Sequence, residues 1–220
     1  MIVSAKKISD VTGYDVAIAD PEATVQDYLN ALNEAIENLG LHRGRARRRT
    51  CKGCDLCCAE RLPLTVIDVL RLRAETAPDA ALNAWLERYA HVLAEGPVVD
   101  ITMSRPIDGR CCLLDRASRT CRLYSARPLV CQTFICSPQT KRARRLRDLI
   151  VNKGEDQLVR EWLLEARRTG SDPVIHEGYN AAPRLKDYPP TPFEGKEKYS
   201  QILLRDICTP GLWKELTLRL

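Results

Sequence analysis

Apolar residues recur at helical spacing along much of this chain, whereas strand-like alternation is confined to short stretches. The first clear segment predicts a helix over about 21–39, with Asp20 as its cap, Pro21 in its first turn and Gly40 at its end. Residues 1–20 are weakly patterned and predict an arm or a short strand. The apolar face of the first helix comprises Val25, Leu29, Leu32, Ile36 and Leu39.

The same spacing predicts further helices along the rest of the chain. Thr65 suits the N-cap of a helix that runs through Leu72. Residues 98–103 alternate and predict a strand, with which Cys112-Leu-Leu can pair. Residues 171–195 are rich in proline and glycine and predict an irregular connection over the surface. The other predicted helices cover about 78–94 (stopped by Gly96-Pro97), 141–150, 155–168 (ending near Gly170), 196–206 and 210–219.

Ten cysteines add chemistry to this pattern, because nine of them fall in two short segments of the 220-residue chain. Thiolates at this density are typical of sites that hold zinc or the iron of an iron–sulfur cluster. Gly53 lets the first segment curl around a metal, because glycine tolerates positive φ. The first segment contains Cys51, Cys54, Cys57 and Cys58, and the second contains Cys111, Cys112, Cys121, Cys131 and Cys136.

The spacing of the first segment leaves several chemistries open. A C-x2-C-x2-C step places three thiolates on one tight loop, as in ferredoxin-type loops that take a fourth ligand from a distant cysteine. Zinc uses a C-x2-C pair equally well, with a second pair from elsewhere. The even number of cysteines also permits complete disulfide pairing, and Cys51/Cys54 or Cys54/Cys57 match the spacing of a redox couple.

The expected compartment favours a metal over disulfides. No apolar run approaches the roughly 20 residues that span a bilayer, so we expect no membrane association. The first residues lack the apolar core and cleavage site of a secretory signal, so we expect a cytoplasmic protein. In a reducing cytosol, clustered cysteines favour metal binding over structural disulfides.

The net charge of +5 is only mildly basic, but basic runs flank both cysteine segments. Arg43–Arg49 leads into the first segment, and Lys141–Arg147 follows the second. Such runs can dock nucleic acid or a protein partner. No aromatic residue interleaves with the first run to stack bases, so this run also fits a solvated basic loop.

The two cysteine segments together resemble the CxxCxxCC cysteine-cluster family (YkgJ-like), described as a zinc- or iron-chelating domain. The resemblance covers about residues 51–136. Its second part is a C-x2-Y step followed by RP-x2-C, formed by Cys121, Tyr124, Arg127, Pro128 and Cys131. The family's short helix after the first cluster is matched by Thr65, Asp68 and Arg71.

The resemblance implies a set of ligands. Cys111 fits the middle position of the family pattern better than Cys112, because of its distance from the apolar pair that follows. Tyr124 and Arg127 are expected beside the ligands, where an arginine offsets thiolate charge and hydrogen bonds to sulfur tune a cluster. Cys136 lies beyond the best-defined part of the pattern. The predicted metal ligands are Cys51, Cys54, Cys57, Cys58, Cys111, Cys121, Cys131 and Cys136.

These features predict a mostly α-helical fold with a small β component, in which helices surround an irregular cysteine-cluster core stapled by metal. We expect an N-terminal arm and helix (1–45), a cysteine-cluster metal-binding domain (46–150) and a C-terminal helical extension packed on it (151–220).

The sequence thus predicts a metal-binding protein. A [4Fe–4S] cluster is favoured over zinc, because flagellin lysine-N-methylase carries a similar cysteine pattern and is associated with such a cluster. That relative also suggests a redox or group-transfer enzyme of methyltransferase type, although this chain is much shorter and lacks a glycine-rich nucleotide loop after a predicted strand. The residues also leave open a nucleic-acid-binding metal module and a purely structural metal staple. The metal, the number of sites and any substrate stay open at this point.

Overall fold

A computed structural model describes residues 1–42, 53–106, 108–133 and 136–217. Within these ranges helices form most of the regular structure, which confirms the predicted helical majority with a smaller strand content. The helices are α1 (Val25–Asn38), α2 (Val66–Thr76), α3 (Leu82–Tyr89), α4 (Leu129–Thr133), α5 (Lys141–Thr169), α6 (Leu204–Ile207) and α7 (Pro210–Leu216). The strands are β1 (Ile2–Ile8), β2 (Val11–Ala17), β3 (Ala90–Glu95), β4 (Val98–Met103), β5 (Leu114–Asp115), β6 (Thr120–Cys121) and β7 (Glu177–Tyr179).

The long helix α5 forms the centre of the fold and contacts α2, α3, α7, β2 and β4. The sequence predicted two helices here, over 141–150 and 155–168, and this division is wrong because α5 continues through Gly154. A Cβ on Gly154 would lie 2.6 Å from the Thr65 side chain. The glycine therefore permits a close approach of α2 and α5 and does not interrupt the helix. The helix ends at Gly170, as predicted, and this residue has a left-handed conformation.

The N-terminal residues form a regular antiparallel hairpin, in which Ile2 pairs with Ala17 and Ile8 with Val11. Residues 1–20 therefore contain two paired strands, whereas the sequence predicted an arm or one short strand. The hairpin docks beside the start of α5, where the Tyr14 amide donates to the Pro138 carbonyl at 2.9 Å.

Helix α1 begins at Val25 and not at Pro21, so the predicted cap at Asp20 is wrong. Thr24 and Asp27 form a capping box that satisfies two backbone N–H groups reciprocally. Asp20 instead accepts from the Glu22 amide in the preceding turn. The predicted cap at Thr65 is confirmed, with Asp68 completing the capping box of α2.

The predicted helix over 78–94 is wrong in its second half. Helix α3 ends at Tyr89, and residues 90–95 form β3, which pairs antiparallel with β4 across the Gly96-Pro97 turn. Ala90, Val92 and Ala94 are buried on one face of this strand. Every second residue is thus buried, as in a strand, although the apolar residues of the whole 78–94 segment also fit helical spacing. The strand predicted over 98–103 is confirmed as β4.

The cysteine-bearing segment after β4 does not extend the sheet as predicted. Leu114 of β5 pairs with Cys121 of β6 in a two-stranded ladder of their own. The third strand beside β3 is β7, which lies parallel to it within the irregular 171–195 connection. The last helices are shorter than predicted over 196–206 and 210–219, with α7 starting at Pro210 behind its cap Thr209.

Large side chains of α5 and its neighbours form a continuous apolar core, which includes Trp85 and Trp162. No helix in the described part of the chain combines the length and the apolar character needed to cross a membrane. The division into three parts stays a prediction, and its boundary after residue 150 falls inside α5.

Candidate metal centre

Seven cysteines that are far apart in sequence line a single cavity of about 60 Å³. Apolar residues, among them Leu62, Leu113 and Pro128, form the rest of its wall together with Tyr124 and Arg127. The structure thus collects in one place the thiols of Cys54, Cys57, Cys58, Cys111, Cys121, Cys131 and Cys136.

The first cysteine segment enters the cavity as a tight loop. Gly53 adopts a φ of 79°, the left-handed conformation expected from the sequence. A 3₁₀ turn over Leu56–Ala59 then presents Cys57 and Cys58. The buried carboxylate of Asp55 anchors this loop, because it pairs with Arg110 at 2.6 Å and with Arg119.

A backbone hydrogen bond joins the two cysteine segments, because the Cys111 amide donates to the Cys58 carbonyl at 2.7 Å. Cys111 is buried and faces the cavity. Its neighbour Cys112 is absent from the cavity wall, and its thiol donates to the Tyr89 carbonyl at 3.7 Å. Of the two adjacent cysteines, the structure therefore places Cys111 with the other candidate ligands.

Helix α2 positions the last part of the site through Asp68, which is fully buried. Its carboxylate accepts from the Leu129 amide at the start of α4 at 2.8 Å and from the Tyr199 hydroxyl at 2.6 Å. The first contact fixes the short helix that carries Cys131. On the same helix as Asp68, Arg71 donates to the Ser125 carbonyl at 2.8 Å and holds the turn before α4.

Four thiols of the cavity have a raised pKa, which favours their protonated form: Cys57, Cys111, Cys121 and Cys131. A hydrogen bond to Cys58, together with burial, raises the pKa of Cys57 far above its usual value. A hydrogen bond between Cys111 and Cys112 raises the pKa of the first thiol and lowers that of the second. Burial raises the pKa of the Cys121 thiol. Since metals bind thiolates, uptake of a metal must release protons here.

The thiol of Cys131 belongs to the same set. Burial raises its pKa well above the usual value, and the neighbouring charges of Cys57, Cys111, Asp68 and Cys121 add to the rise. Burial also raises the pKa of Asp68, although hydrogen bonds from Tyr199, Thr65 and Leu129 oppose this rise.

Arg127 supplies positive charge to the cavity. Its guanidinium lies 3.8 Å from the centre of the Tyr124 ring and also donates to the Tyr124 carbonyl. Its charge lowers the pKa of Cys57 and Cys121 against the larger upward effects. The structure thus places both predicted supporting residues beside the thiols, where a cation stabilises the thiolate form.

The described cysteines of the predicted ligand set all line this cavity, while Cys51 lies outside the described residues, as does the basic run Arg43–Arg49. Among the described side chains, no three or more Cys, His, Asp or Glu already stand at metal-holding positions. Several thiols are instead engaged with a neighbouring thiol, as in Cys57–Cys58 and Cys111–Cys112. Binding therefore requires a change of side-chain conformation at these cysteines.

The second basic run has partners within the fold. Arg142 pairs with Asp15 at 2.8 Å, Arg145 with Glu215 and Arg147 with Asp148. These ion pairs give part of the run a structural role in fixing the N-terminal hairpin and α7 to α5. A nucleic-acid or protein interface at Lys141–Arg147 stays a prediction.

Sequence reasoning missed Asp55, and it named Asp68 only as part of the helix after the first cysteine segment, without its role in holding the site together. Asp55 stands between two predicted ligands, and a charged residue inside a metal loop could have drawn attention to it. The contact between Asp68 and Tyr199 joins residues 131 positions apart, and no local pattern signals it.

Residues 50–154 match a family model with the description "CxxCxxCC: Putative zinc- or iron-chelating domain". The match contains both cysteine segments and reaches into α5. It confirms the predicted resemblance to the CxxCxxCC family over these residues and supports metal binding in general. No curated protein and no solved structure matches the chain. The YkgJ-like character and the likeness to flagellin lysine-N-methylase stay predictions.

Proposed function

We propose that this protein binds zinc or iron through the thiol-lined cavity, and that the bound metal is central to its function. The observation that carries the proposal is the convergence of seven cysteines on one cavity within the segment matched by the chelating-domain family. A fold gains little from so many thiols in one place unless they bind something, because apolar side chains would fill the same space better.

The donor set fits such a metal. Thiolates are the preferred ligands of zinc and of iron–sulfur clusters. A single water-sized atom needs about 10–15 Å³ of accessible space. The cavity of about 60 Å³ therefore has room for several metal-sized atoms. Arg127 lies where it offsets the negative charge that thiolates acquire on deprotonation.

Between the two metals, an iron–sulfur cluster of the [4Fe–4S] type is our preferred occupant. It is supported by the C-x2-C-x2-C loop and by the largely apolar remainder of the wall, since burial and hydrogen bonding to sulfur are the means by which proteins tune such clusters. When bound, such a cluster would supply electron transfer or a Lewis-acidic iron. The residues of the chain would hold it and keep water away.

Metal and acid-labile sulfide analysis of anaerobically purified full-length protein, with a visible spectrum, tests this proposal. Iron with stoichiometric sulfide and broad visible absorption is the expected result. Stoichiometric zinc in a colourless protein would show that the cavity binds zinc and not a cluster, and the proposed metal binding would stand. Protein that contains neither metal and takes up neither on reconstitution would overturn the proposed function.

A further inference from the structure

A second cavity, larger than the cysteine-lined one, lies between α2 and α5. Its volume of about 640 Å³ falls within the range of roughly 300–1,000 Å³ that is typical of small-molecule sites. The two helices approach closely at Thr65 and Gly154, and this α2–α5 cavity lies along the turns that follow. Its apolar wall includes Val66, Val69, Leu82, Leu158, Leu164 and Phe193.

Helix α2 separates this cavity from the cysteine site. With about 3.6 residues per turn, Val69 and Arg73 lie on one face of the helix, while Asp68 and Arg71 lie on the opposite face. The first face lines the α2–α5 cavity, whereas the second holds the turn before α4 and the start of α4 itself. The cavity therefore uses side chains of α2 that the candidate metal centre does not use.

Arg73 places a charged group on the wall of this cavity. Its Nη2 donates to the Ala80 carbonyl, while its Nε is shielded from solvent and has no hydrogen-bond acceptor among the described residues. A shielded N–H group without an acceptor costs free energy, because it has lost its hydrogen bond to water and gained none. A carboxylate, sulfonate or phosphate group satisfies such a donor, since a guanidinium binds oxyanions through charge-assisted hydrogen bonds.

The acidic side chains of the wall do not compete strongly for Arg73. Glu165 accepts from two amides at the start of α3, at 2.9 and 2.8 Å. Glu161 accepts from a glutamine side chain one turn earlier on α5, at 2.9 Å. Lys196 and Glu197 are neighbours at the exposed rim, where their charges offset one another. Among the described residues of the wall, Arg73 is thus a shielded cation without an ion-pair partner.

We propose that the α2–α5 cavity binds a small organic anion, whose apolar body packs against the wall and whose oxyanion group pairs with Arg73. The pairing takes place away from water, where the attraction between opposite charges is stronger than at an exposed ion pair. An uncharged molecule of the same shape fills the apolar wall but leaves the Nε of Arg73 without an acceptor. The proposal concerns a second site and does not depend on a metal at the cysteine cavity.

Two fluorescent dyes of similar shape test the proposal on the full-length protein. Anilinonaphthalene sulfonate carries an anionic group on an apolar body, and phenylnaphthylamine has the same body without the charge. We expect the wild type to bind one sulfonate dye per chain. Arg73→Gln should weaken the binding of the sulfonate dye about tenfold and leave that of the uncharged dye within about twofold. Arg167→Gln is the matched control, because Arg167 is exposed on α5 and absent from the cavity wall, and it should change neither.

Leu70→Trp locates the dyes, because it enlarges a partly exposed side chain of the wall and should weaken the binding of both. No saturable binding of the sulfonate dye by the wild type, or equal losses for the two dyes in Arg73→Gln, would overturn the proposal. Circular dichroism shows whether each variant folds. If Arg73→Gln does not fold, Leu70→Trp decides, and sulfonate binding that it leaves unchanged would overturn the proposal. All of these outcomes leave the metal analysis unaffected, so the two proposals fail separately.

Discussion

The core around α5 and the cysteine cavity are built in different ways. Around α5, long helices bury large apolar side chains, and Leu146, Ile150, Leu158 and Trp162 are fully inaccessible to solvent. Around the cavity, the elements are a four-residue turn, two-residue strands and a five-residue helix. Such short elements have little stability of their own. The comparison teaches that the helical core can form by apolar burial, whereas under the proposed function the cavity region depends on its metal and on a few buried carboxylates.

Removal of the metal should therefore have the largest effect, and it should fall on one region. Treatment with a strong chelator under reducing conditions should abolish amide protection in residues 53–62 and 108–133, because their short elements lose the ligands that join them. Hydrogen exchange with mass spectrometry measures this, and α5 should keep its protection. Equal loss of amide protection in the cavity region and in α5 would show that the two fold as one unit, and the difference between them drawn above would be wrong.

Loss of the Asp68 carboxylate should have the second-largest effect on stability. Asp68→Ala removes the acceptor for Thr65, Leu129 and Tyr199 at a fully buried position, and we expect a loss of about 3 kcal/mol in the free energy of unfolding. Tyr199→Phe is the matched smaller change, because it removes one donor and should cost about 1–2 kcal/mol. Urea unfolding measures both. An Asp68→Ala variant as stable as the wild type would show that α4 does not depend on this contact.

Gly154→Ala probes the helical core at its tightest contact. The added methyl group would overlap the Thr65 side chain and press on Phe193, so we expect a loss of about 1–3 kcal/mol. Gly211→Ala is the control, because open space surrounds that helical position, and it should change stability by less than about 1 kcal/mol, in the favourable direction. Thermal unfolding compares the two, and similar effects at both positions would contradict the close approach of α2 and α5.

The smallest expected effect concerns a buried carboxyl group beneath β4. Burial, with the charge of Asp100, raises the pKa of Glu155 to about 8. Above the pKa of an unfolded glutamate the folded protein keeps a proton that the unfolded chain has lost, so stability falls as the pH rises toward 8.

Glu155→Gln should remove this dependence. Relative to the wild type, the variant should gain about 1 kcal/mol between pH 6 and pH 7, where the unfolded glutamate is ionised and the folded Glu155 still keeps its proton. The variant keeps an oxygen for the Ile101 amide, which donates to Glu155 at 3.1 Å. Urea unfolding across this pH range measures the gain, and Glu37→Gln at an exposed position should show none. A stability difference between the variant and the wild type that is the same at all pH values would show that Glu155 is not the group that keeps the proton.

Local patterns predicted the elements whose causes are local. The caps at Thr65 and Gly170, the curl at Gly53 and strand β4 all follow from a few adjacent residues, and the structure confirms them. Strand β3 was mistaken for helix because its partners, β4 and β7, are contacts that helical spacing cannot reveal. Helix α5 was predicted as two helices, although it continues through Gly154, and the reason for a glycine there lies beside α2, at Thr65.

The candidate site shows the same limit. Cysteine spacing sufficed to name the described side chains that meet at the cavity, because a thiolate metal site requires several cysteines, and these stand close together in two short segments of the sequence. It did not reveal that Cys112 would turn toward Tyr89 or that Asp55 would anchor the loop. Those outcomes depend on where the 108–122 segment folds back over the first cysteine loop.

The hydrogen bond between Tyr199 and Asp68 has a consequence for modularity. The region of family likeness ends at residue 154, in the middle of α5, yet the carboxylate that secures the helix of Cys131 is held by a hydroxyl that lies well beyond that boundary in sequence. The segment that matches the family model is thus shorter than the part of the chain that supports the cavity. A fragment cut at the edge of the similarity would keep the described candidate ligands and lose half of the central helix on which their supports rest. In this chain the segment that matches the family model and the set of residues that support the cavity therefore have different borders.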